Sequence, residues 1–247
     1  ALEELAAAKI TDEPTTLMPG FIQLHRPCDL NQIELFKSAA LIAQDVSQGL
    51  VASLVAPKDK ERILDMCSAP GGKTGHLAEL GPDCEITATD KSEDRLPMVI
   101  DLINRAGYSN VSVIPYQEAL QSKQTYNAVL VDAPCSGTGV LARRPDLRWR
   151  LRPDDFARMA AIQVQLLRYA AERTAKLGRI IYATCSVDPV ENQEVVNRFL
   201  SDNSAFRIST QSGLVPANLI NSNHAINLRG EEIAGDGVFA LCLERWK

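Results

Sequence analysis

Short apolar runs recur along this chain, and most are followed by a turn and a helical pattern. Runs at 62–67, 85–90, 111–114, 127–132 and 179–185 read as strands. Helical spacing predicts helices over 72–80, 92–106, 154–177 and 190–201. Gly107 stops the second of these, and Gly178 is expected to stop the third, which opens after Pro153 with Asp154 as its cap. A chain that alternates strand and helix in this way builds a mainly parallel sheet with helices on both faces. Before the first run, residues 35–55 carry an apolar face (Ala39, Ala40, Ile42, Ala43, Val46 and Leu50) and are read as one helix. Pro14, Pro19, Gly20 and Pro27 mark turns in the mixed segment that precedes it. The segment 115–126 reads as a loop, and 238–243 as a last apolar strand.

At 247 residues, 45% hydrophobic and 23% charged, the chain can bury one full core. No stretch reaches the roughly 20 apolar residues that a bilayer requires. The first residues (Leu2, Leu5, Ala6) already have helical spacing, and we expect 1–34 to be the end of an upstream subdomain, with the main domain spanning 35–247. Six cysteines contain no Cys-x-x-Cys pair and no zinc-type Cys/His cluster, so no metal is expected; a chain of this class is read as cytoplasmic and reduced. His25, His76 and His224 are expected on surfaces or loops. The net charge of −5 does not advertise a nucleic-acid binder. Against that stands a local run, Arg143, Arg144, Arg148, Arg150 and Arg152, interrupted by Asp146 and Trp149. A solvated surface explains most arginine runs, but arginine also neutralises phosphates and stacks on bases.

Gly71-Gly72-Lys73-Thr74 invites a P-loop reading, which fails because the glycine needed five residues before Gly72 is Cys67. A dinucleotide Gly-x-Gly-x-x-Gly is absent as well. What remains is a glycine turn at a helix N-terminus, where backbone can approach a ligand. Asp90 ends the second strand eighteen residues after Gly72, the usual place for an acid that bonds a ribose hydroxyl. A tight turn followed by a surface aspartate would leave the same letters. Read as a site, a ribose acid without a phosphate cradle suits a nucleoside lacking pyrophosphate, such as S-adenosylmethionine.

Two strands end in thiols: Val131-Asp132-Ala133-Pro134-Cys135-Ser136-Gly137 and Tyr182-Ala183-Thr184-Cys185-Ser186. A single strand cysteine is usually a small buried hydrophobe. Two thiols at the carboxyl ends of strands, where open α/β sheets do their chemistry, point to covalent catalysis on a poor nucleophile.

These residues carry a family likeness. Asp65-Met66-Cys67-Ser68-Ala69-Pro70-Gly71-Gly72-Lys73-Thr74, Asp132-Ala133-Pro134-Cys135-Ser136-Gly137-Thr138-Gly139 and Thr184-Cys185-Ser186 resemble the RNA cytosine-5 methyltransferases of the Nop/Sun type. Arg144-Pro145-Asp146 with Trp149, Gln163, Pro189-Val190-Glu191-Asn192 and Asp236-Gly237-Val238-Phe239 extend the likeness over about 35–245. The resemblance implies an α/β chain with the class I S-adenosylmethionine-dependent methyltransferase (Rossmann-like) fold: a mainly parallel seven-stranded sheet with an antiparallel C-terminal strand. It also implies a monomer acting on RNA, ribosomal RNA first and transfer RNA as the alternative. By the same likeness Cys185 is the nucleophile that adds to carbon 6 of cytosine, Cys135 assists release, Asp132 bonds the base and Lys73 faces the target nucleotide. Cys67, Ser68, Ala69, Pro70, Gly71, Gly72 and Lys73, with Asp90, Glu118 and Asp132, would hold the cofactor. Arg143, Arg144 and Arg148 would contact RNA.

Two positions depart from the family pattern. Tyr116 or Gln117 occupies the place where an acid after the third strand is usual, Glu118 reaching it only with a shift, and Asn127 stands where an acid is common before the fourth. A non-catalytic RNA-binding or assembly factor on the same fold is the rival reading. A DNA cytosine-5 methyltransferase is disfavoured, because Ser136 follows Cys135 where those enzymes have glutamine.

Overall fold

The computed structural model describes residues 5, 12–15, 17–24 and 28–247. The predicted helical start at 1–6 falls, apart from Leu5, outside the described residues, as do His25 and Pro27.

Strands β1 (Asp12–Pro14) and β2 (Ile22–Leu24) form a small antiparallel pair. The remaining strands make one sheet: β3 (Arg62–Asp65), β4 (Glu85–Ala88), β5 (Val111–Val113), β6 (Tyr126–Asp132), β7 (Thr174–Thr184), β8 (Phe206–Ile208), β9 (Ala225–Leu228) and β10 (Val238–Arg245). Its order is β5-β4-β3-β6-β7-β10-β8, parallel from β5 to β7 and antiparallel at β10. The expected seven positions are present, with eight strands filling them. β8 pairs with one end of β10 and β9 with the other.

The helices are α1 (Glu34–Lys37), α2 (Val46–Val55), α3 (Gly72–Leu80), α4 (Leu96–Ala106), α5 (Tyr116–Gln121), α6 (Leu147–Arg150), α7 (Pro153–Arg173), α8 (Gln193–Asp202) and α9 (Gly230–Ile233). Alternation along the central strands divides the core in two. Val129, Val131, Ile180, Tyr182, Phe239 and Leu241 pack with Leu167 of α7 and Phe199 of α8. Ala128, Leu130, Ile181, Ala183 and Ala240 pack with Leu50 and Val51 of α2 and Leu77 of α3. Side chains that alternate across a pleated sheet dictate this arrangement, and both faces are covered because both sets are apolar. Met18 is buried in the second cluster, and Leu17 and Phe21 pack against it.

Several boundaries differ from expectation. The helix read over 35–55 is two helices, because Asp45 takes extended backbone and caps α2 by accepting from the Ser47 N–H (2.9 Å). The helix expected over 154–177 ends at Arg173. There the Thr174 hydroxyl donates to the Ala170 carbonyl (2.7 Å), and the following residues join β7 through an irregular register. Gly178 therefore lies in a strand, pressed against the Asn127 carbonyl. Asp154 sits in the first turn of α7, whose capping carboxylate is Asp155, accepting from the Arg152 N–H (2.9 Å). The expected loop at 115–126 contains α5. His76 is half-buried on α3 beside the Phe21 ring, not on a surface. Asn127 lies at the start of β6, far along the strand from its carboxyl end, and accepts from the Arg62 N–H (2.9 Å), so it stitches two strands together.

The strand order reverses between β3 and β6, which puts the crevice of an open α/β sheet at their carboxyl ends. β7 lies beside β6 with Ala183 opposite Asp132. The two thiol-bearing turns therefore leave the sheet side by side.

Candidate active site

β3 ends in Asp65 and runs into the turn 67–71, which α3 follows. Gly71 turns the chain at φ +112°, and a Cβ there would lie 3.1 Å from Leu102 and 3.3 Å from Val99 of α4. Only glycine meets both demands. Asp90 pins the turn: its carboxylate accepts from the Ala69 N–H (3.0 Å) and the Ser92 N–H (2.9 Å). Arg95 donates to the Ala69 carbonyl (2.8 Å). Around the turn, Asp65 Oδ1, Ser68 Oγ and Thr89 Oγ1 are buried without a hydrogen-bond partner. Buried polar atoms are rarely left so, and this residual capacity fits a polar ligand seated on the turn. Glu118 is exposed in the first turn of α5. Among neighbouring acids, Glu93 accepts from the Tyr116 N–H at the start of that helix (3.1 Å).

At the ends of β6 and β7, Cys135 Sγ and Cys185 Sγ lie 3.2 Å apart. Lys73 Nζ reaches across from α3 to Asp132 Oδ2 (2.6 Å) and also donates to Gln48 of α2. All four expected catalytic side chains thus converge, and Gln48 joins them without having been anticipated. The three thiols nearby differ in acidity. A hydrogen bond from Cys135 lowers the Cys185 thiol against burial and the Asp132 charge, which the Lys73 charge partly offsets. The same bond, with burial, pushes Cys135 well up. Burial, with Asp132, Asp65 and Asp90 around it, pushes Cys67 well up. Cys185 is therefore the member suited to serve as thiolate. Burial also raises Asp65 to about 7, against a hydrogen bond from Thr74 Oγ1 (2.8 Å).

The two turns are laced to each other. Glu191, fully buried (0% exposed), accepts from the Ser136 N–H (2.8 Å), the Ser136 hydroxyl and the Gln163 amide (3.2 Å). Gln163 also donates to the Pro134 carbonyl (2.9 Å). On the other turn, Thr184 donates to Asn192 Oδ1 (2.6 Å), and Asn192 Nδ2 donates to the Ser186 carbonyl (2.9 Å). Gly139 N–H donates to the Cys185 carbonyl (2.8 Å), and Gly237 N–H to the Gly139 carbonyl (2.9 Å). A Cβ on Gly139 would fall 2.7 Å from both the Cys185 and Gly237 carbonyl oxygens. Gln163, Glu191, Asn192 and Gly237 stood in the likeness without a role; here they hydrogen-bond the two turns that carry the thiols.

The arginines divide. Arg143 is engaged by Asp45 and by Asp236 Oδ1 (3.1 Å), so its charge is already matched. Arg144 pairs with Asp146 (3.1 Å), while Arg148 is exposed and has no ion-pair partner among the described residues. The acids Asp45 and Asp236 were not singled out beforehand as its partners. For Asp45, the cap pattern Asp-x-Ser ahead of an apolar helix was the available signal.

A doubly wound sheet with one antiparallel strand near its edge, a glycine turn after the first long strand and strand-end thiols define a class I methyltransferase fold. The sequence matches the family described as 16S rRNA methyltransferase RsmB/F over residues 52–243, and the chain belongs to that family. It is 34% identical over 230 residues to ribosomal RNA small subunit methyltransferase B of Proteus mirabilis, covering 92% of this chain and 51% of the relative. The chain spans about half the length of the curated relatives it matches. Among solved structures, PH0851 superposes with a TM-score of 0.91 at 26% identity, covering 98% of this chain and 56% of that one. NSun6 from Pyrococcus horikoshii, solved with SFG, gives 0.78 at 26% identity, covering 92% and 59%. Among the described residues no helix is long and apolar enough to cross a membrane.

Proposed function

We propose that this chain carries the catalytic centre of an S-adenosylmethionine-dependent methyltransferase that forms 5-methylcytosine in ribosomal RNA, with Cys185 as the covalent nucleophile. The observation that carries this reading is the thiol pair, 3.2 Å apart, beside the Lys73–Asp132 ion pair. Membership of a family described by its action on 16S rRNA supports the substrate class.

Carbon 5 of cytosine is too weak a nucleophile to be alkylated unaided, and covalent addition divides that step into easier ones. The Cys185 thiolate forms a bond to carbon 6, which moves electron density onto carbon 5. Asp132 holds the exocyclic amino edge or ring nitrogen, and Lys73 keeps that carboxylate oriented while it favours the thiolate. Bound S-adenosylmethionine supplies an electrophilic methyl group, and residues 67–73 with Asp90 would hold it. The carbon 5 proton then passes to a base such as water, the sulfur–carbon 6 bond breaks with its electron pair returning to Cys185, and Cys135, a neutral thiol 3.2 Å away, hydrogen-bonds the departing thiolate and so assists release. The target base must leave its stack to reach Cys185, which costs a few kcal/mol.

The test is incubation with cofactor and RNA containing 5-fluorocytidine, whose carbon 5 cannot lose its substituent. A stable protein–RNA adduct mapping to Cys185 by peptide mass spectrometry, absent in Cys185→Ala, is expected. Methylation that persists in Cys185→Ala would refute the mechanism. Failure to bind the cofactor would favour a non-catalytic factor.

A further inference from the structure

The chain has two tryptophans, and they differ sharply. Trp246 is 43% exposed and meets cations of its own chain: Arg207 lies 5.6 Å and Lys247 4.1 Å from its ring. Trp149, on α6, is 86% exposed, and among the described residues no ring or cation packs on it. An indole left in water is unfavourable, since burying such a ring contributes heavily to folding. Around it Arg144, Arg148, Arg150 and Arg152 are exposed, with Asp146 as the acid that meets two of them.

This helix is not remote from the thiols. A Cβ on Gly137, two residues past Cys135, would lie 3.0 Å from the Leu147 side chain, so α6 rests directly on the Cys135 turn. Trp149, two residues on, lies on the opposite and outward face of the same helix. Next to the same turn, Val187 is also exposed, and its N–H donates to Thr138 Oγ1 (3.0 Å).

We propose that Trp149 is a stacking platform for an unpaired nucleobase of the RNA strand beside the target cytosine, with Arg148 and its neighbours meeting the phosphates. This rests on the RNA-methyltransferase reading and adds a docking surface for single-stranded RNA. When a base is extruded, its neighbour loses a stacking partner; an exposed indole on the helix that rests on the Cys135 turn can replace it. Aromatic rings interleaved with cations suit single strands, because every base presents a π face. The surrounding guanidinium groups argue against an apolar protein segment as the occupant.

The test uses the Trp246→Phe background, so that fluorescence reports Trp149 alone. A single-stranded RNA oligonucleotide should quench it, and the same sequence as a duplex should not. Trp149→Ala should weaken single-strand binding by about 10-fold or more, with Trp149→Phe restoring most of it. The salt dependence should stay unchanged in Trp149→Ala and fall by about one in slope for Arg148→Gln. Unchanged affinity in Trp149→Ala, or equal quenching by duplex, overturns the proposal. If Trp149→Ala alters only self-association of the protein, the face is a protein contact and the proposal is wrong. The Cys185 adduct separates the two readings: adduct formation with unaltered Trp149→Ala binding sinks the platform alone, whereas wild-type protein that binds no RNA sinks both.

Discussion

Replacing Glu191 by glutamine tests whether one buried side chain sets the spacing of the thiols. Its carboxylate takes three donors, the Ser136 N–H, the Ser136 hydroxyl and the Gln163 amide, with no access to water. A glutamine offers one carbonyl oxygen and an NH2. The Ser136 N–H and the Gln163 amide already share Oε1, which the new carbonyl oxygen can replace, while the NH2 takes the place of Oε2 and forces the Ser136 hydroxyl to turn from donor to acceptor. What is lost is the charge on the acceptor: three hydrogen bonds of about 1.5–3 kcal/mol each become neutral ones of about 0.5–1.5, a loss of about 1 kcal/mol per bond. A total near 3 kcal/mol corresponds to a fall of roughly 6–12 °C in Tm for a chain of this size. Because Ser136 follows Cys135 directly, turnover should fall further than RNA affinity. Thermal unfolding of Glu191→Gln, Ser136→Ala and the double variant closes a cycle, with a coupling of about 1 kcal/mol or more expected between these neighbours. A Tm shift below about 1 °C, or simple additivity, would refute the idea that Glu191 braces the turn.

Gly139→Ala puts a methyl group 2.7 Å from the Cys185 carbonyl, so the two turns must separate. Methyl transfer should drop by about 10²-fold while cofactor binding is kept, and unaltered turnover would contradict this packing. Asp65 gives a pH signature: burial lifts it from an ordinary 3.8 to about 7, so the folded chain retains a proton that the unfolded chain releases. Stability is thus fully present below about pH 4, declines as pH rises towards 7 and levels off above, by at most roughly 4 kcal/mol. Urea unfolding of Asp65→Asn across that window should lack the decline, and parallel curves for the two proteins would disprove the assignment.

The sequence alone determined the order of the six strands from β3 to β7 and β10 and of the long helices between them, because the periods of apolar residues are local properties of the chain, whereas the short β8, β9 and α5 left no such signal. It also singled out Cys135, Cys185 and the turn at 67–72, which lie just past the ends of apolar runs where a sheet delivers its chemistry, while Asp132 and Lys73 entered through the family likeness. Local signals failed where a side chain overrode them. Asp45 broke a helix that apolar spacing had made continuous, and Thr174 closed α7 before Gly178 could. Tertiary structure alone decided the partners. Arg143 read as a free phosphate ligand until the fold set it between Asp45 and Asp236, from residues nearly a hundred positions away on either side. Likewise Glu191 gained its role only when β6 and β7 brought two distant turns together over it. Periodicity records which face a residue will bury, whereas hydrogen bonds between remote segments exist only once the sheet has fixed their separation to a few tenths of an ångström.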